Sequence, residues 1–97
     1  MRDAQLQAVV RYLNIHFPGR EVLQHHDFDR GAQSFKVIVG RESLLLKVTE
    51  NFFDDNERED LVQLLDRIEV GEALERTRGT EQGVIVTTDG LRTFYRG

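Results

Sequence analysis

The 97-residue chain has no cysteine. That excludes a disulfide framework, a thiolate zinc site and a cysteine nucleophile, and leaves packing alone to hold the fold. Its one proline, Pro18, stands beside Gly19 and marks a break after a helical stretch. No apolar run approaches the roughly 20 residues of a membrane span. Met1 leads straight into Arg2-Asp3-Ala4-Gln5, without an apolar stretch of signal-peptide length. A soluble, cytoplasmic chain with no membrane partner is expected. Excess positive charge is missing too: 17 acids stand against 13 bases, for a net charge of −4. A nucleic-acid binder ordinarily shows a basic face, so no nucleic-acid partner is expected. Repeats and low-complexity segments are absent, and the length suits a single domain over residues 1–97.

What is present begins with a β-hairpin between Gln33 and Thr49. Pairing Val39 with Glu42 across Gly40-Arg41 aligns Phe35, Val37 and Val39 with Leu44, Leu46 and Val48 on one face. The opposite face carries Ser34, Lys36, Ser43, Lys47 and Thr49, with Ile38 and Leu45 as its large apolar residues. This predicts a half-buried antiparallel sheet with helices on one side. From Asp3 to Ile15, Leu6, Val9, Val10 and Leu13 recur at helical spacing, with Phe17 beyond, and Ala8, Tyr12 and Ile15 form a second stripe. Glu21 to Asp29 reads as a first strand. Pairing Asp29 with Ala32 sets Val22 against Val39, Gln24 against Val37, His26 against Phe35 and Phe28 against Gln33. The same register places Leu23 opposite Ile38 and Lys36 opposite His25.

Asp54 with Glu57 forms a capping-box pattern that predicts the start of a second helix, whose buried stripe is Leu61, Leu64, Leu65 and Ile68. Continuing that phase would bury Glu72 and Glu75, so the helix is expected to end near Gly71. From Glu72 to Gln82 the chain is polar, with Leu74 as anchor and room for one short helical turn. Gly83 to Arg96 forms a second hairpin around Asp89-Gly90, a type I′ signal that pairs Thr88 with Leu91, Val86 with Thr93 and Val84 with Tyr95. Ile85 and Phe94 then oppose each other on its other face. The expected fold is α+β in the order α-β-β-β-α-β-β, a five-stranded, mostly antiparallel sheet with two helices packed on one face.

The first five of these elements resemble a double-stranded-RNA-binding domain, which implies lysines at the opening of the second helix. The matching segment, Asp54-Asp55-Asn56-Glu57-Arg58-Glu59-Asp60, carries four net negative charges instead. The full order, the size and the acidity resemble those of small type III secretion chaperones. That likeness implies a dimer that holds a segment of another protein.

Among chemistry-bearing residues, His25 and Asp27 share one strand face and Asp29 follows, a possible start of a metal or small-ligand site. Two or three ligands at strand spacing do not complete such a site, and a surface pair is the simpler reading. His26 points to the core side and needs a hydrogen-bond partner, for which Gln24 is the candidate. Asp54, Asp55 and Glu57 lack the glycine and distal glutamate of a calcium loop, and helix capping accounts for them. No phosphate-binding glycine motif occurs. Neither a carboxylate pair nor a serine triad emerges from the expected neighbours, so no catalytic residue, metal or cofactor is assigned.

Apolar residues left over after the core is filled point to an interface: Tyr12, Ile15, Leu23, Ile38 and Leu45, with Ile85 and Phe94 nearby and an acidic rim from Asp54 to Asp60. The leading expectation is a non-catalytic protein-binding module, homodimeric or bound to another protein. One alternative is a small-ligand- or metal-dependent enzyme built on His25, Asp27 and Asp29. Another is an acidic inhibitor that presents Asp54–Asp60 to a basic nucleic-acid-binding protein.

Overall fold

Clean alternation of strand-forming side chains fixes the central hairpin as expected. The computed structural model describes residues 2–27 and 31–97, the side chain of Asp27 excepted. β2 (Ala32–Val39) and β3 (Glu42–Thr49) pair antiparallel, with Val39 opposite Glu42, Val37 opposite Leu44 and Phe35 opposite Leu46. Gly40 takes a φ of 62° at the first of the two turn residues, a sign that only glycine adopts cheaply. α1 (Asp3–His16) precedes this hairpin and stops at Phe17, which leaves helical geometry before Pro18.

β1 (Glu21–Asp27) pairs with β2 two residues away from the expected register: Val22 faces Val37, Gln24 faces Phe35 and His26 faces Gln33. Asp27, rather than Asp29, stands opposite Ala32. A slip of two keeps every side chain on its face, so alternation specifies the face without specifying the partner. Phe28 and Asp29, which the expected register used, lie outside the described residues.

The single second helix is replaced by three short ones. α2 (Glu50–Asp55) begins earlier than expected, capped by Thr49, whose Oγ1 accepts from the Phe52 N–H at 3.2 Å. Asp54 therefore closes a helix where it was expected to open one. α3 (Leu61–Arg67) is capped by Asp60, which accepts from the Gln63 N–H at 3.3 Å. Before α4 (Val70–Arg76), Glu69 adopts the left-handed conformation, with φ 62° and ψ 42°. That break resets the helical phase, so Val70, Ala73 and Leu74 turn inward while Glu72 and Glu75 stay exposed. The polar stretch after Gly71 thus opens inside a helix.

β4 (Gln82–Thr87) and β5 (Gly90–Tyr95) form the last hairpin, again two residues from the expected register: Val86 faces Leu91 and Val84 faces Thr93. Thr88 and Asp89 are the turn residues and neither has a positive φ, so the turn is not type I′. The Thr87 hydroxyl organises it, accepting from the Asp89 N–H at 3.1 Å and donating to the Gly90 carbonyl at 3.2 Å.

The sheet order is β1-β2-β3-β4-β5. Neighbours are antiparallel except β3 and β4, which run parallel with α2 to α4 as the crossover between them. The domain is α+β with a mixed sheet and four helices. Val9, Leu13, Phe53, Leu65 and Leu74 from the helices pack against Phe35, Leu46, Val48 and Val84 of the sheet in one apolar core. Tyr12 lies in this core, and its hydroxyl accepts from the Gly71 N–H at 2.7 Å, tying α1 to the start of α4. Gly71 leaves space for this contact: a Cβ there would come within 2.4 Å of the His16 ring. Among the described residues, no helix is long and apolar enough to cross a membrane.

Candidate binding face

Strand alternation that buries Phe35 and Leu46 under the helices turns the intervening side chains to the other side of the sheet, where no helix packs. The register arranges them in rows across all five strands. One row reads Leu23, Lys36, Leu45, Gly83 and Phe94; the next reads His25, Ser34, Lys47, Ile85 and Arg92. Phe94 lies over Gly83, where a Cβ would sit 2.7 Å from the ring and 2.9 Å from the Leu45 carbonyl oxygen. Glycine is required there because the ring takes the space of a side chain. The Lys47 ammonium stands 5.0 Å from the Phe94 ring centroid. Arg96 donates to the Ser43 carbonyl at 2.8 Å and to the Ser43 hydroxyl at 3.0 Å, which pins its guanidinium at the edge of this face. Leu23, His25, Lys36, Leu45, Lys47 and Arg96 line a half-open depression of about 580 Å³.

The five residues expected to form an interface divide between the two sides of the sheet. Leu23, Ile38 and Leu45 share the open face. Leu23 is opposite Lys36 and Ile38 is opposite Glu21, so Leu23 and Ile38 are diagonal neighbours rather than partners. Leu23 is 47 % exposed, and Ile38 and Leu45 are half-buried. Tyr12 does not join them: it is 2 % exposed, and its hydroxyl is already engaged by Gly71. Ile15, 63 % exposed, belongs to the helical layer on the other side of the sheet. Ile85 and Phe94 are on the open face but diagonal, with Arg92 opposite Ile85 and Gly83 opposite Phe94.

His25 is exposed and faces Ser34, not Lys36. Asp29 and the side chain of Asp27 lie outside the described residues, and among the described residues no group of three or more histidine or acidic side chains is placed to hold a metal ion. His26 meets Gln33 in place of Gln24: its Nδ1 contacts the Gln33 side-chain amide nitrogen. That nitrogen also donates to Glu50 Oε1 at 2.9 Å. Glu50 continues to Arg2 at 3.0 Å, and Arg2 to Asp54 at 2.7 Å. Gln33 is 5 % exposed, and among the described residues its Oε1 has no hydrogen-bond partner. The network therefore joins β1, β2, α2 and the start of α1. Asp54 and Asp60, from the expected acidic rim, already serve this ion pair and the α3 cap.

Arg92 and Arg96 are the residues that sequence reading passed over. Both fall on even positions of the last hairpin, in phase with Phe94, and that phase was the signal for them. A scan against protein-family models and searches against curated proteins and solved structures return no match to this chain.

Proposed function

We propose that this chain is a non-catalytic protein-binding module whose open sheet face holds a segment of another protein. One observation carries the reading: an uncovered sheet face that keeps Leu23, Ile38, Leu45 and Ile85 beside a preformed depression, although four helices are available and all pack on the other side. Exposed apolar residues standing singly need no explanation, whereas a set of them on one flat, strand-built surface marks an interaction site. Scaffold strands hold these side chains in fixed positions, which favours recognition with little ordering cost.

Self-association through this face is the weaker form of the proposal. A two-fold dimer would set the face against its own copy, bringing Lys36, Lys47, Arg92 and Arg96 of each chain against the same cations. A different protein is the better occupant. Leu23→Asp combined with Ile38→Asp tests the reading: partner capture from lysate is lost while the melting temperature holds. Unchanged capture by the double variant overturns it. The enzyme built on His25 has no supporting geometry among the described residues. The acidic-inhibitor reading competes with structural uses of Asp54 and Asp60.

A further inference from the structure

β5 ends the sheet, and among the described residues no strand lies beyond it. The Arg96 N–H donates to the Glu81 carbonyl at 2.8 Å, which carries the β4–β5 ladder one position past Gln82 and Tyr95. Bonding direction alternates residue by residue in an antiparallel pair. Arg92 and Phe94 therefore bond back to β4 as Arg96 does, while Leu91, Thr93 and Tyr95 turn their N–H and C=O groups to the outer edge. The side chains of these three residues lie on the helix side of the sheet, in register with the buried Val84 and Val86. Thr93 is nevertheless exposed, and Tyr95, at 69 %, is more exposed than Ile15 or Leu23. Natural sheets blunt such an edge with proline, lysine or a bulge. β5 has none of these: its residues Leu91 to Tyr95 are rich in strand formers and its ladder is regular. Its one charge, Arg92, projects to the open face. β1, the other edge, has Glu, Gln, two His and Asp among its seven residues, a composition poor in strand formers.

We propose that β5 pairs antiparallel with β5 of a second copy of this chain, about a two-fold axis through Thr93, so that two sheets join into one. The strand is complementary to itself in that register. Thr93 exchanges both backbone bonds with Thr93 of the copy, and Leu91 exchanges bonds with Tyr95 of the copy, so every outward residue of β5 is paired. The exposed Tyr95 ring is laid against the half-buried Leu91, once on each side of the axis. On the open face Arg92 stands opposite Phe94 of the copy, a cation beside an aromatic ring, and the two Arg92 side chains are diagonal rather than opposed. Moving the axis to Arg92 sets two arginines directly opposite each other, and moving it to Phe94 sets Arg92 opposite Arg96, both of which cost stability. Five paired residues span about 17 Å of edge. Such a contact is smaller than the about 800 Å² per partner of a standard interface, so the dimer is weak and reversible. It uses a strand edge and leaves the open face of each copy uncovered, the two faces side by side on the same surface.

The test follows mass by sedimentation, and amide hydrogen exchange by NMR, from about 10 µM to about 1 mM chain. Mass is expected to rise toward that of two chains while the amides of Leu91, Thr93 and Tyr95 gain protection with concentration. Thr93→Pro removes an N–H that the monomer does not use, at an edge position where proline is tolerated. The dimer loses two hydrogen bonds by it, one from each copy, so association should weaken at least about tenfold. Thr93→Cys, in a chain with no other cysteine, decides the matter should the proline variant not fold. Mild oxidation should link it into a dimer, because residues opposed in a hydrogen-bonded pair lie about 5.5 Å apart at Cα, within disulfide reach. Gln24→Cys on β1 should stay monomeric under the same oxidation. A monomer at the highest concentration overturns the proposal. So does a dimer that a folded Thr93→Pro chain forms as tightly as the parent, or one whose protection and cross-linking appear on β1 instead of β5.

Discussion

Leu45 and Leu46 are adjacent in β3 and chemically identical, and they belong to different surfaces. Leu46 is fully buried under the helices; Leu45 is half-exposed beside Lys36 and Gly83. The contrast extends to the whole sheet. One face is covered by side chains from all four helices, and the buried Tyr12 hydroxyl among them is bonded to the Gly71 N–H. The other keeps cations and aliphatic groups uncovered on the same rigid backbone. The residues that stabilise the domain and those of the proposed binding face are thus separated by one residue of alternation.

That separation predicts opposite outcomes for matched substitutions. Leu46→Ala should cost about 2 to 5 kcal/mol in a denaturant titration, the range for buried leucines that leave a cavity. Leu45→Ala should cost well under half of that, and equal costs would break the distinction between the faces. Tyr12→Phe should cost about 1 to 3 kcal/mol, because the Gly71 N–H loses its buried acceptor. Tyr12 also brings a pH dependence. Burial pushes its phenol above the ordinary value, Glu72 and Asp66 add to the rise, and the Gly71 N–H opposes it. The unfolded chain ionises this group near pH 10 while the folded chain keeps the proton. Its contribution is therefore full below about pH 10 and is lost as pH climbs further, and the phenylalanine variant should lack that part of the alkaline loss. Smallest of all is Lys36→Glu, which should change stability by no more than about 0.5 kcal/mol, the range for surface substitutions. A large change there would mean that the open face also serves the fold.

Much of this layout was legible in the sequence, and the reasons are local. The period of two in Phe35, Val37, Leu44 and Leu46 assigned every strand residue to its face, including Leu23, Ile38 and Leu45. Periodicity leaves a slip of two residues undetected, so β1 and β5 were each paired two positions away, with the Thr87 hydroxyl settling the last turn. The crossover helices were less legible because acids after position 53 imitate a helix start, while the working caps are Thr49 and Asp60. Glu69 in a left-handed conformation has no sequence signal, and it sits at the break between α3 and α4 after which Glu72 is exposed. Tyr12 was misplaced because an apolar arc on a helix does not say which side is covered.

The parallel seam has a consequence for how the molecule comes together. β1, β2 and β3 pair through nearby chain, whereas Leu46 meets Val84 across 38 positions, the longest closure in the sheet. The meander can form early, but the last hairpin must wait for the crossover helices before it can dock. Arg92, Phe94 and Arg96 arrive with that hairpin. The proposed binding face is therefore expected to be completed at the end of assembly, so that a half-made chain lacks that face.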